Sequence, residues 1–203
     1  MKKLFIGAVI CVTLIFAISV NAFGLVQLNL ENTVSGTCNN DPYNELSLSG
    51  NVVVPLIGLK IEGEYDTGTS GSLSYSNLMA GAGIRLFNLA GLSIFVGAEF
   101  LDSTISTTIP VKATVLFYDA SMELRILKRM SIDAWVGNSL FAYYNSVSGS
   151  GNQVFTYKAC FTYWFVDNIG ASIGVRGTSF QMDVPQVPDL NFNGVYLGAA
   201  VRL

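Results

Sequence analysis

The sequence predicts an all-β chain that folds as a transmembrane, antiparallel, up-and-down β-barrel, and three observations lead to this prediction. The 203 residues are 51% apolar and only 12% charged, with a mean hydropathy of +0.48. Beyond residue 22 there is no run of about 20 mostly apolar residues from which a membrane helix could form. Apolar and polar residues instead alternate with a period of two, which gives a strand one apolar and one polar face.

The alternation predicts about ten strands, with eight as the alternative count. It is clearest at residues 92–101, 111–126, 169–180 and 193–203. The remaining strands are predicted at 24–31, 44–54, 57–65, 73–87, 131–144 and 153–165. Short connections (55–56, 88–91, 127–130 and 166–168) alternate with longer polar ones (32–43, 66–72, 102–110, 145–152 and 181–192). Short turns on one side and longer loops on the other are typical of outer-membrane barrels.

Residues 1–22 are predicted to be a signal peptide that is removed on export. Lys2 and Lys3 precede an apolar run from Leu4 to Val20, and Ala22 is the small residue after which we expect cleavage. An uncleaved anchor helix is the alternative. The barrel domain is then residues 23–203.

The alternation alone leaves open which face is inside, since a soluble lipocalin-like barrel has the same period with its apolar face inward. Here the polar faces are rich in Gly, Ser and Thr and poor in charge, which suits a confined interior. They also carry large aromatic residues that would face water poorly: Phe95, Phe117, Trp135, Phe141, Trp164 and Tyr196. We therefore predict polar faces that line a lumen and apolar faces that contact lipid. Aromatic residues near the long-loop ends indicate either an interfacial girdle or the preference of aromatic residues for strands: Tyr65, Phe100, Tyr143, Tyr144, Phe155 and Tyr157.

Charged residues on the polar faces predict a lumen charge cluster. Its members are Lys60, Glu62, Glu64, Arg85, Glu99, Asp119, Glu123, Arg125, Asp133, Lys158, Arg176 and Arg202. The acids of the middle strands face bases on strands eight and nine. Because isolated buried charges are costly, they should be paired or hydrated. They can meet across the lumen and plug it, or leave a wet constriction, or pair with near neighbours such as Arg125 with Asp133. About ten strands favour the plug.

The sequence offers no chemistry for an enzyme, a cofactor or a metal site. It contains no histidine, the residue on which outer-membrane hydrolase families depend for acid–base catalysis. Asp183, Asp189 and Asn191 lack the spacing of a known calcium loop. The chain is acidic and has no basic cluster, which argues against nucleic acid as a partner. Cys38 and Cys160 are too few for a disulfide framework.

By its signal peptide, alternation, loop asymmetry and terminal strand, the chain resembles the small bacterial outer-membrane barrels related to the outer membrane protein A transmembrane domain and the opacity proteins. The resemblance covers the whole mature chain, although members usually end in an aromatic residue where this chain has Leu203. It implies location in the bacterial outer membrane, with lipid and the outer-membrane assembly machinery as partners.

The predicted function is that of a structural or surface-interaction barrel with a largely side-chain-filled, charged lumen. Its exposed loops are the candidates for contact with an extracellular ligand. A narrow, passive porin-like channel is the alternative, and a soluble lipocalin-like binding barrel is a further one.

Overall fold

The computed structural model describes residues 25–106, 110–144, 152–182 and 189–203, which form ten antiparallel strands closed into a barrel. The predicted count of ten is confirmed, and the predicted signal peptide lies outside the described residues. Among these residues no helix is long and apolar enough to cross a membrane. The strands are β1 (Leu25–Cys38), β2 (Asp41–Val54), β3 (Leu59–Ser70), β4 (Leu73–Leu89), β5 (Leu92–Ser106), β6 (Val111–Ile126), β7 (Met130–Tyr144), β8 (Gln153–Val166), β9 (Ile169–Gln181) and β10 (Leu190–Arg202).

The barrel closes where the first strand pairs with the last. Each strand is bonded to its neighbours in sequence, and β1 pairs with β10. The Val26 amide donates to the Leu203 carbonyl at 3.2 Å, and the Leu203 amide donates to the Val26 carbonyl at 2.9 Å. A closed barrel has no free edge, so the strands satisfy their backbone groups within the protein, as a lipid environment requires.

The connections at the end of the barrel where β1 begins and β10 ends are short, as predicted. They comprise residues 55–58, 90–91, 127–129 and 167–168. Ala90 and Gly91 have φ values of 51° and 88°. Positive φ at both positions is the geometry of a two-residue hairpin turn whose twist matches that of the strands. This end of the barrel is called the turn side below, and the opposite end the loop side.

Two of the predicted long connections on the loop side are wrong. The segment 32–43 is a hairpin whose turn is only Asn39 and Asn40, with φ values of 50° and 76°. The segment 66–72 likewise forms strand up to Ser70 and turns at Gly71 and Ser72. Asn and Gly tolerate the left-handed region that such turns require. The polar residues that suggested loops lie in strands that continue toward the loop side.

Apolar side chains face outward over the turn-side part of the barrel, as predicted. Exposed examples lie on β4, β5, β6, β9 and β10: Ile84, Val96, Leu116, Ile173 and Leu197. Asn138 is a polar exception on this surface, and its side-chain amide donates to the Tyr118 hydroxyl at 2.7 Å. An outer surface of this kind suits lipid, in which a polar group needs a partner within the protein.

A register shift between β6 and β7 overturns two predictions. Leu116 pairs with Phe141, but the next residue, Phe117, pairs with Ser139. The extra residue in β7 leaves both Leu140 and Phe141 exposed, and it turns Tyr144 into the lumen, where it is fully buried. Phe141 is therefore not a lumen residue and Tyr144 is not a girdle residue. One extra residue exchanges the two faces of a strand from that point onward.

The polarity of the two faces inverts toward the loop side. There the lumen is filled by an apolar layer, and the outward positions are polar, with exposed Asn44, Thr67, Asp102, Lys112 and Asn193. The prediction of a polar lumen is wrong for this part, which has the arrangement of a water-soluble barrel. The apolar layer comprises Cys38, Tyr43, Tyr75, Leu101, Ile105, Val111, Ala113, Val115, Phe117, Tyr144, Val154, Phe180, Met182, Leu190 and Phe192.

The inversion predicts how two outward positions of β5 respond to the same substitution. Val96 lies at the middle of the apolar outward positions between residues 92 and 100, whereas Thr104 lies near the loop-side end of the strand. Val96→Arg should destabilise the barrel by about 2–4 kcal/mol, the cost of arginine at the bilayer midplane, and Thr104→Arg by about 1 kcal/mol or less. Urea unfolding in lipid vesicles measures both. Equal losses would show that Val96 and Thr104 do not face different surroundings.

Candidate functional site

The side chain of Arg176 reaches across the lumen from β9 to three other strands. Its Nη1 lies 2.6 Å from Glu45 Oε1, 2.8 Å from Glu64 Oε1 and 3.1 Å from Asp66 Oδ1. Its Nη2 forms an ion pair with Glu31 Oε2. These acids come from β1, β2 and β3, on the far side of the seam where the barrel closes. Arg176 is only 7% exposed. The planar guanidinium, with five donors, is well suited to bind several carboxylates at once.

Lys158, on β8, joins the same acids. Its Nζ lies 2.8 Å from Glu31 and 3.3 Å from Glu64. Lys158 and Arg176 are partners in the β8–β9 register, and both cations lie over the Tyr196 ring, at 5.5 and 5.0 Å from its centroid. The Tyr75 hydroxyl donates to Glu45. We call Arg176, Lys158, Glu31, Glu45, Glu64 and Asp66 the cross-lumen network.

A second group of charges surrounds Lys60 on β3. Its Nζ lies 2.9 Å from Glu62, 3.6 Å from Glu123 on β6 and 3.3 Å from the Ser121 hydroxyl. Three further acids of the predicted cluster, Glu99, Asp119 and Asp133, also lie in this part of the barrel. The Trp135 indole donates to Glu99 Oε1 at 3.0 Å, and the Ser131 hydroxyl donates to Asp133 at 3.3 Å.

The other predicted cluster members, all arginines, lie at the turn-side mouth. Arg85 lies over the Phe95 ring at 5.4 Å. Arg202 lies over the Trp164 ring at 4.3 Å and donates to the carbonyls of Asp167 and Lys128. Arg125 is exposed.

The ion pairs found in the described part of the chain do not include Arg125 with Asp133. Among the described residues, Glu64 meets Lys158 and Arg176 across the lumen, whereas Lys60 pairs with its near neighbour Glu62, and Glu99 and Asp119 pair with no base.

Three members of the cross-lumen network, Glu31, Glu45 and Asp66, were missing from the predicted cluster. Glu31 stood at the end of the first predicted strand, and Asp66 fell in a predicted loop. The signal for Glu45 was present, because it alternates with Leu46 and Leu48 and therefore shares the polar face of its strand. The extension of β1, β2 and β3 toward the loop side brings these acids level with Arg176.

A cavity of about 140 Å³ remains between the two groups of charges. Its lining includes Glu31, Glu64, Lys158, Glu99 and Trp135. A polar cavity of this size has room for several water molecules, which can complete the hydrogen bonding of the charged groups. The middle of the lumen therefore combines direct ion pairs with a small polar cavity.

No protein-family model matches the sequence, and neither does any curated protein. Among solved structures, the chain is similar to outer membrane protease OmpT from Escherichia coli, with a TM-score of 0.60 at 7% identity over 89% of this chain and 97% of that one. The chain has the fold of outer-membrane β-barrels. It is also similar to Neisserial surface protein A, with a TM-score of 0.45 at 11% identity over 88% of this chain and 96% of that one.

Identities this low show the fold alone. Protease activity is a property of OmpT and is not inferred for this chain. The narrower resemblance, to the outer membrane protein A domain and the opacity proteins, stays a prediction.

The contacts of Arg176 predict a large loss of stability when its side chain is removed. Arg176→Ala leaves several buried carboxylates without their shared cation, and breaking a buried pair in this way costs about 3–5 kcal/mol. Arg125→Ala, at the exposed mouth, is the matched control and should cost less than about 1 kcal/mol. Chemical unfolding of the folded barrels in detergent measures both. Similar losses would show that the cross-lumen network contributes nothing special to stability.

Proposed function

We propose that the chain is a bacterial outer-membrane barrel with a closed lumen, which acts as a structural or surface-interaction protein and not as an enzyme. The observation that carries this proposal is the cross-lumen network lying beneath the apolar layer. Two different kinds of side-chain packing occupy successive levels of one narrow barrel. Interiors of about eight strands are wide enough only for side chains, and ten strands lie close to that limit.

The two levels oppose ion passage for different reasons. Within the apolar layer Phe192 contacts the rings of Tyr43, Tyr75 and Phe180, with centroids 4.8–6.2 Å apart. An apolar constriction blocks ions because it excludes water. In the network below, Arg176 and Lys158 are held by acids from the opposite strands. A passing ion would have to displace these pairs.

The proposed contact surface lies on three neighbouring hairpins. Their connections, 107–110, 145–152 and 182–189, join the strands from β5 to β10, whereas the turns at 39–40 and 71–72 have two residues each. The connection 145–152 is rich in Ser and Gly, and 182–189 carries Pro185 and Pro188. Loops held on a rigid barrel commonly carry binding functions. We propose that an extracellular ligand contacts this half of the rim.

Lipid and the outer-membrane assembly machinery are the other proposed partners. The apolar outer surface supports the first. The second rests on the outer-membrane barrel fold, since barrels of this kind need assembly into the membrane. A narrow passive channel is the second candidate function, and the polar cavity among the lumen acids is the observation that favours it.

Conductance in a planar bilayer distinguishes the closed barrel from the channel. The unmodified protein should show no steady conductance, because both levels of the lumen are filled. The variant with Arg176→Ala and Phe192→Ala thins both levels and should show discrete openings. The control variant carries Arg202→Ala and Leu197→Ala. It also loses one arginine and one large apolar residue, but at the mouth and on the outer surface, and it should stay closed. A large, steady conductance in the unmodified protein would establish the channel instead.

Location and orientation are tested by labelling intact cells with an impermeant thiol reagent. In a background with Cys38→Ser and Cys160→Ser, a cysteine at Ser148, in the β7–β8 connection, should react. A cysteine at Asn88, near the β4–β5 turn, should react only after the cells are opened. The protein should also fractionate with the outer membrane and migrate differently on SDS gels before and after boiling. Equal labelling at the two positions would refute the orientation, and recovery without detergent would refute the membrane location.

A further inference from the structure

We propose that Glu62, Glu99 and Asp119 bind a Ca²⁺ ion inside the lumen, a role that is separate from the closed-barrel function above. One carboxylate oxygen from each residue lies within 4.8 Å of the other two. The three residues come from β3, β5 and β6, and we call them the acidic triad.

Glycines bring the acidic triad together. On β4, Gly81 pairs with Glu62 on one side and with Glu99 on the other. On β5, Gly97 pairs with Asp119. A Cβ atom at Gly81 would lie 2.2 Å from Glu99 Cγ, and one at Gly97 would lie 2.9 Å from Asp119 Oδ2. Because no side chain stands at these two positions, carboxylates from separate strands converge over the backbone between them.

A second observation separates the acidic triad from an ordinary cluster of acids. Glu99 is 2% exposed and Asp119 is 6% exposed. Within the described part of the chain, Glu99 Oε2 and Asp119 Oδ2 have no hydrogen-bond partner. Buried carboxylate oxygens nearly always have a partner, since an unpaired one loses its hydration without compensation. Both oxygens belong to the triad, where a cation would supply the missing partner.

The neighbouring donors bind other oxygens than these two. Lys60 Nζ binds Glu62 at 2.9 Å and Glu123 at 3.6 Å, and the Trp135 indole binds the other oxygen of Glu99. None of the ion pairs formed among the described residues includes Glu99 or Asp119. A bound cation would therefore be the first positive charge in direct contact with the carboxyl groups of Glu99 and Asp119.

The geometry fits Ca²⁺ better than Mg²⁺. Ca²⁺ binds six to eight oxygens at about 2.3–2.6 Å, so two of its ligands can be up to about 5 Å apart. It accepts irregular geometry, whereas Mg²⁺ requires a near-ideal octahedron with shorter bonds. The cavity bordered by Glu62 and Glu99 leaves room for the waters that would complete the coordination.

The test uses the folded, signal-free protein in detergent, treated with EDTA and then titrated with Tb³⁺ as a luminescent substitute for Ca²⁺. Trp135 contacts Glu99 and should sensitise Tb³⁺ emission, which Ca²⁺ should displace. Ca²⁺ at a hundredfold excess over its dissociation constant should raise the unfolding temperature by about 5–10 °C. Trp135→Phe should remove most of the emission but keep the Ca²⁺-dependent rise, because the indole is not a ligand.

Variants of single acids decide whether the acidic triad is the site. Glu99→Gln and Asp119→Asn should each weaken Ca²⁺ binding by about tenfold or more. Glu45→Gln is the matched control, since it removes an equivalent charge from the cross-lumen network and should leave Ca²⁺ affinity unchanged. If Glu99→Gln does not fold, Asp119→Asn alone decides. The proposal is overturned if Ca²⁺ does not stabilise the unmodified protein, or if the triad variants bind it as tightly as Glu45→Gln does.

Discussion

The outer surface of the barrel changes from apolar to polar along its axis, and the lumen changes in the opposite sense. Near the turn side the outward residues are apolar and the lumen is polar. Near the loop side Asn44, Thr67 and Asp102 face outward, and the apolar layer fills the interior. Burial of apolar surface stabilises a fold when that surface would otherwise contact water. Apolar side chains that contact lipid gain nothing from moving into the interior, so the interior at that level can hold polar and charged groups.

The charged groups in the lipid-facing part then need partners inside a space with little water. Arg176 resolves this for Glu31, Glu45, Glu64 and Asp66, because one guanidinium can donate to several oxygens in fixed directions. Lysine carries a compact charge, and Lys158, beside Arg176, contacts only Glu31 and Glu64 of these acids. Ion pairs in an interior add little net stability over apolar packing, but removal of one partner is costly. The network therefore specifies one arrangement of the strands more than it adds to overall stability.

The sequence predicted what depends on local periodicity. Alternation located ten strands and most of their outward faces, and the connections predicted at 88–91 and 127–130 are short, as the structure confirms at 90–91 and 127–129. It failed where the deciding feature is a pairing between strands. The extra residue near Phe141 leaves no mark in the alternation of β7, yet it exchanges the two faces and buries Tyr144. The Asn39–Asn40 turn was hidden in a polar segment that resembles a loop, because the strands beside it face water and not lipid.

The candidate site shows the same division. Lys60, Glu99, Lys158 and Arg176 were found because each stands on the polar face of a clear strand. Which of them meet could not be read from sequence, since that depends on barrel closure and on the relative heights of distant strands. The convergence of Glu62, Glu99 and Asp119 depends on Gly81 and Gly97, whose neighbours are defined only by the register.

The cross-lumen network lies at the seam, where the first strand of the barrel pairs with the last. The pairing of β1 with β10 joins the first strand to the last and closes the longest loop among the described residues, the contact with the largest entropic cost. Arg176 lies on β9, one strand before the seam, and its acids lie on the three strands after it. These ion pairs therefore span the seam from inside, where water competes least. The same ion pairs that cross the lumen therefore also link β9 to the first three strands, in addition to the backbone pairing of β1 with β10.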